Sequence, residues 1–308
     1  MNPGRGIALK IASTFVFTLM LVCVKAVADR IPPGETVFAR SFFALVPIIA
    51  MLLWQGQFPQ ALKTSRPWLH MSRGTVGVAS MAMNFAALAF LPLPEAMTIG
   101  YAAPLLIVAL AALILRERVR LFRWTAVAVG FVGIVIVLWP RFTLLSGGAI
   151  GDVALLGAML ALLSAISSAF AAIFIRSMTQ TESTGTIVFY FALSSSILSL
   201  ASLPFGWVVP SPGDALILVV MGLLGGIGQI LMTSAYRNAD AGTIAPFEYI
   251  SILWGVSFGY LVFGEVPTSS VLTGGAIVVA AGIFIIFRER RLGLERARQR
   301  GAMSPPPG

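Results

Sequence analysis

The sequence predicts an all-α integral membrane protein of ten transmembrane helices, built as two five-helix repeats of opposite topology. Three observations lead there. The 308 residues are 58% hydrophobic and 11% charged, with a mean hydropathy of +0.92, and the apolar residues come in runs of ~20, enough to cross a hydrocarbon core. Lysine and arginine gather at alternate ends of those runs. One stretch of the first half recurs in the second with its flanking charge changed.

The expected spans are 7–27, 35–55, 70–90, 95–115, 120–139, 151–174, 185–205, 214–235, 241–263 and 269–287. The connectors are short and rich in breakers: RIPPG, LPLPE, SGGAIG, WVVPSPG and GEVPTSS. The first run, Gly6 to Val27, is longer than a signal-peptide core and no A-x-A-like site follows, so it reads as a transmembrane helix. The halves are expected over 1–145 and 146–287. Residues 288–308 form a basic tail expected to be disordered beyond Arg291.

The net charge of +9 could suggest nucleic acid in a soluble protein. Here the basic residues sit at span ends and set topology instead. With the N-terminus inside, about 17 of the 21 Lys and Arg fall on the cytoplasmic side, including Lys63, Arg66, Arg73 and the cluster Arg116, Arg118, Arg120 and Arg123. Both termini are therefore expected in the cytoplasm. The one cysteine, Cys23, excludes an internal disulfide, and the one histidine, His70, excludes a histidine metal cluster. No HExxH, GxSxG or phosphate-binding loop occurs, and no metal, cofactor or catalytic residue is expected.

The repeat lays ALAFLPLPEAMTIGYAAPLLIVALAALILRE, from Ala87, over AYRNADAGTIAPFEYISILWGVSFGYLVFGE, from Ala235. Tyr101 then meets Tyr249 and Glu117 meets Glu265, separated by 16 positions in both copies. Five helices per half is an odd number, so the second half enters upside down. The basic loop RERVRLFR lies inside, and its counterpart GEVPTSS lies outside with no Lys or Arg. LPLPE lies outside without basic residues, and its counterpart YRNAD lies inside with Arg237. An element that changes charge with its side marks an inverted repeat, whose two halves can rock about a midplane site.

Several segments carry a family likeness over about residues 6 to 287. They are FARSFFALVPI around Arg40, the proline-bearing turn before the fourth helix, the helix-ending glutamates of LRERVRLFRW and FGEVPT, and the glycines Gly130, Gly133, Gly274 and Gly282. The chain thereby resembles the drug/metabolite transporter superfamily, and within it the EamA family. IPPGETVFARS and FLPLPEAMTIGYAAPLL are further similar to the bacterial riboflavin transporters of that family. The resemblance implies secondary transport of a small metabolite across the bacterial inner membrane, with riboflavin uptake as the expected activity. Other branches carry amino acids, S-adenosylmethionine or drugs, some of them outward. A membrane-embedded enzyme should gather acids, His or Cys near one face, which this sequence does not; an assembly protein would need neither a polar interior nor an inverted repeat.

Candidate substrate contacts are the polar and aromatic residues deep in the spans: Glu248, Tyr249, Tyr101, Trp254, Arg40, Asn84 and Gln229. Glu248 sits about seven residues into an apolar run, ~10 Å from its end. It is either half of a structural ion pair, a protonated hydrogen-bonded carboxyl, or a ligand contact and protonation switch. Arg40 either snorkels to the outer headgroups or faces inward. Lys25 is expected to snorkel. Asn84 and Gln229 are by default interhelical hydrogen bonders. Ser164, Ser167 and Ser168 share a face that suits a close helix contact. Tyr101, Tyr249 and Trp254 could stack on a flat ligand or simply pack. Trp54, Trp139 and Trp207 fit interfacial belts. Pro104 and Pro246 each remove a backbone N–H and should bend their helices, making them candidate hinges.

Overall fold

The computed structural model describes residues 3–113, 121–143, 149–178, 181–238 and 245–303. The loop with Glu117 lies outside them. A helix stands over each expected span. The first half holds α1 (Pro3–Val27), α2 (Pro33–Trp54), the short α3 (Phe58–Ala61), α4 (Pro67–Phe90), the interrupted pair α5 (Leu93–Gly100) and α6 (Ala102–Leu113), and α7 (Leu121–Thr143). The second holds α8 (Ala149–Met178), α9 (Thr184–Ser199) with a 3-10 extension Leu200–Phe205, α10 (Pro212–Asn238), a 3-10 turn Ala245–Ile250 leading into α11 (Ser251–Phe263), and α12 (Ser269–Met303).

Local chemistry sets the ends. Proline opens α2, α4 and α10, where its missing N–H is one that a helix start leaves unbonded anyway. Gly264 closes α11 at φ +66, a left-handed turn that glycine adopts without strain. Five stretches are long and apolar enough to cross a membrane: Gly4–Val27, Pro33–Trp54, Val153–Ile175, Gly185–Phe205 and Pro212–Ala235. Leu93–Ile107, Trp124–Pro140, Phe247–Phe263 and Ser269–Ile285 are shorter apolar helical stretches. α4 belongs to neither group, because Arg73, Ser80 and Asn84 interrupt its apolar character. α12 runs on to Met303, past the point where a disordered tail was expected. Its Glu, Arg, Leu and Gln residues are all good helix formers.

The helix contacts come in mated sets. α1 packs on α10 and α8 on α4; α2 packs on α10 and α9 on α4; α1 packs on α11 and α8 on α5 and α6. α2 with α9, α5 with α11, and α7 with α12 are each their own mates. Exchanging the two halves reproduces these main packings, as a pseudo-two-fold axis requires. The halves are also inverted. The Leu93 N–H, at the start of α5, donates to Glu265 just beyond the end of α11 at 2.8 Å. Two repeat-equivalent helices that touch start to end run antiparallel.

Polar links gather on the two sides as this topology demands. On one side Arg30 pairs with Asp214 at 2.7 Å, and Glu35 accepts the Val208 N–H at 3.0 Å. On the other, Glu182 accepts from the Thr64 hydroxyl at 2.8 Å and the Ser65 N–H at 3.0 Å. Partial burial opposes ionisation of Glu182, but these hydrogen bonds outweigh it and hold the carboxyl below its ordinary range. Trp54 and Trp139 are exposed at helix ends as a belt would have them. Trp207 instead turns back to donate to the Ser202 hydroxyl at 2.9 Å.

Glycine allows the closest crossings, since lipid offers no hydrophobic drive between helices and backbone approach must do more of the holding. A Cβ at Gly133 of α7 would lie 2.7 Å from the Gly274 carbonyl of α12, and one at Gly274 would lie 2.5 Å from the Gly133 carbonyl. Gly133→Val should therefore lower the thermal midpoint, by a destabilisation of about 1–3 kcal/mol. Val129→Leu, at a half-exposed position of the same helix, should leave it unchanged. Equal midpoints for both variants would show that this crossing is not the tight contact described.

Candidate functional site

A cavity of about 360 Å³ opens between the two halves. α1, α2 and α4 line it from the first repeat, and their mates α8, α9 and α10 from the second. The remaining helices, α5 to α7 and α11 to α12, stand behind. The wall carries two guanidinium groups (Arg40, Arg73), two amides (Asn84, Gln229), the hydroxyls of Ser80, Ser164 and Ser168, and the rings of Phe85 and Phe191. Its volume and mixed lining are those of a small-molecule site.

Three of the sequence candidates meet there: Arg40, Asn84 and Gln229. Arg40 does not snorkel. It is 3% exposed, its Nε has no hydrogen-bond partner among the described residues, and its guanidinium carbon lies 5.9 Å from the centre of the Phe191 ring. Gly225 of α10 makes room for it, since a Cβ there would come within 3.0 Å of that Nε. Asn84 and Gln229 have their amides on the cavity wall and make no hydrogen bond to another described residue, against the interhelical bonding that was the default. Ser164 and Ser168 do form the helix contact expected of them. Ser80 of α4 donates to the Ser164 carbonyl at 3.0 Å and lies 2.6 Å from the Ser168 hydroxyl.

Among the cavity residues that sequence reasoning missed, Ser80 and Phe191 included, the charged one is Arg73, read only as a topology marker. Its guanidinium carbon sits 3.9 Å from the centre of the Phe191 ring, and its Nε and one Nη are buried without partners among the described residues. A signal existed. Arg73, Gly77, Ser80 and Asn84 follow at steps of four, three and four, a polar and small stripe down one face of α4. Burying an unpaired ion costs several kcal/mol, and stacking on Phe191 returns only about 0.5–2 kcal/mol of it.

The other candidates lie elsewhere. Tyr101 and Tyr249, equivalent in the repeat, pack against each other with centroids 5.4 Å apart and planes at 51°. Each is 6% exposed, and the Tyr101 hydroxyl hydrogen-bonds the Ser251 hydroxyl. Trp254 meets Phe15 edge-on at 5.2 Å. The helices of Pro104 and Pro246 are irregular as expected. The break at Tyr101 follows from Pro104, which has no N–H to offer the Gly100 carbonyl, and Pro246 lies in the 3-10 turn before α11.

Glu248 also lies in that turn and forms an ion pair with Lys10 of α1, whose side chain is 1% exposed. Lys10 is a basic residue inside the first span rather than at its flank. It sits eight residues into α1, on the same side as the start of the ninth span. Fifteen residues on, Lys25 does not snorkel either. It pairs with Glu265 at 2.9 Å and donates to the Leu91 carbonyl at 2.7 Å. The two lysines of α1 thus grip the two ends of the α11 segment.

The family comparison fits this architecture. The model of the EamA-like transporter family matches residues 4–139 and again 155–288. The chain belongs to the EamA-like transporter family. It is 34% identical over 297 residues to a riboflavin transporter of Rhizobium johnstonii, covering 94% of this chain and 95% of the relative. It is 28% identical over 287 residues to an S-adenosylmethionine uptake transporter of Rickettsia prowazekii (93% and 94%). It is 29% identical over 283 residues to a pseudopaline exporter of Pseudomonas aeruginosa (90% and 94%). A solved crystal structure shares the fold with a TM-score of 0.65 at 20% identity, over 91% of this chain and 96% of the other. The chain is a multi-pass membrane transporter of small metabolites, and not an enzyme.

The ion pair gives a prediction. Glu248→Gln and Lys10→Met should each lower the thermal midpoint, and the double variant should lose less than the two losses combined. The coupling should be about 0.5–2 kcal/mol, at the low end because the Glu248 side chain is 44% exposed. Strict additivity in unfolding measurements would show that the pair contributes nothing.

Proposed function

We propose that the chain takes up riboflavin across the bacterial inner membrane, by alternating access through the cavity between its halves. The observation that carries the transport route is that the cavity is walled by the same three helices of each repeat. Rocking one half against the other would uncover it to each side in turn without remaking it. In this reading Arg40, Asn84 and Gln229 contact the cargo. The Tyr101–Tyr249 pair, Trp254 and the Lys10–Glu248 pair belong to the packed interface about which the halves rock, and Pro104 and Pro246 mark where its helices bend. The basic distribution favours both termini in the cytoplasm.

Riboflavin as cargo is supported by the segments IPPGETVFARS and FLPLPEAMTIGYAAPLL and by the 34%-identical relative. The cavity suits it. Amides and guanidiniums can hydrogen-bond the edge of a flat heterocycle while Phe85 and Phe191 offer apolar faces. In a riboflavin auxotroph without an importer, at low external riboflavin, the chain should restore growth. Asn84→Ala and Gln229→Ala, at matched membrane levels, should cut initial uptake roughly tenfold, the size of one or two lost hydrogen bonds. Failure of the wild-type chain to restore growth or accumulate labelled riboflavin would overturn the cargo assignment.

A further inference from the structure

Charge in the cavity is one-sided. Arg40 and Arg73 both approach the Phe191 ring, at 5.9 and 3.9 Å from its centre. Neither makes a hydrogen bond or ion pair with any described residue, and no Asp or Glu stands among the residues lining the cavity. Described carboxylates elsewhere in the chain are engaged with other groups, Glu248 with Lys10, Glu265 with Lys25 and Glu35 with the Val208 N–H. Two like charges in a place of low dielectric repel each other and have each given up water. Structural packing would be served better by apolar side chains of the same volume. The arrangement makes sense when a third party completes it.

We propose that Arg40 and Arg73 form an oxyanion subsite of the cavity, for a carboxylate or a phosphate. The guanidinium group offers paired N–H donors in a fixed plane that match the two oxygens of such a group. The unpartnered Nε of Arg40 and the unpartnered Nε and Nη of Arg73 are those donors. The hydroxyl of Ser80 and the amide of Asn84 lie on the same stripe of α4 and can bond the rest of the ligand. The oxyanion is either part of the cargo or a free anion bound beside it. The subsite rests on the cavity being the cargo path, but not on the cargo being riboflavin.

The test uses the full chain purified in detergent, at constant ionic strength in chloride. Binding of inorganic phosphate, succinate, riboflavin and flavin mononucleotide is measured by calorimetry, alongside the thermal midpoint of the unliganded protein. At least one oxyanion probe should bind, and Arg40→Gln or Arg73→Gln should weaken it by tenfold or more, with Lys at either position retaining part of the affinity. The unliganded Gln variants should melt no lower than the wild type, because each loses an uncompensated charge; a merely structural arginine would lower the midpoint. Phosphate or succinate binding alone identifies a free anion. A preference for flavin mononucleotide over riboflavin that vanishes in the Gln variants places the oxyanion on the cargo. Arginine-dependent phosphate binding with no flavin binding supports the subsite and removes riboflavin as cargo. Riboflavin binding that ignores both substitutions, with no oxyanion bound, overturns the subsite and Arg40 as a cargo contact, and leaves the transport route standing.

Discussion

A charge carried into an apolar interior has to be answered, and the way this chain answers its charges divides it into parts that hold and a part that waits. The two lysines of α1 are answered within the protein. Lys10 meets Glu248, and Lys25 meets Glu265 and two backbone carbonyls. Those contacts tie α1 to both ends of the segment that ends in α11. Arg40 and Arg73 are not answered by any described residue, and both border the cavity. The same solvation penalty that makes the lysine pairs cohesive makes the arginines receptive.

The inverted repeat explains where these parts fall. The axis passes between helices that are their own mates. Where α7 meets α12 and α5 meets α11 the structure is close-packed, with Gly133 against Gly274 and Tyr101 near Tyr249. Where α2 faces α9 it borders the cavity, whose walls are mated sets of three helices that can shift together. The cavity's charge breaks the symmetry, because both arginines come from the first repeat, on α2 and α4, while the ring they approach comes from α9 of the second. A carrier needs two similar conformations and one binding site, so equal halves with an unequal wall suit the task.

Much of this was legible in the sequence because bilayer physics is coarse. Span length, breaker-rich connectors and the side-dependent charge of the repeat each follow from a single strong constraint, and the observed helices lie where they put them. The pairing of Tyr101 with Tyr249 follows directly from the repeat. Partner choice was harder to read. Lys10 and Arg73 sit near the ends of their spans, where a basic residue ordinarily marks topology, and a count of charges does not say which way a side chain turns. Arg73 could have been found from the stripe it forms with Gly77, Ser80 and Asn84. Lys10 needed knowledge that α1 and the segment of α11 are neighbours, which sequence spacing does not contain.

The central claim is that the cavity between the halves is reached from each side of the membrane in turn. With Cys23 replaced by Ser, a single cysteine at Gln229 on the cavity wall can be challenged with a membrane-impermeant thiol reagent, in right-side-out and inside-out vesicles. The account predicts reaction from both faces, slowed by cargo in each case. A transport-competent variant that reacts from one face only, with cargo present or absent, would contradict it.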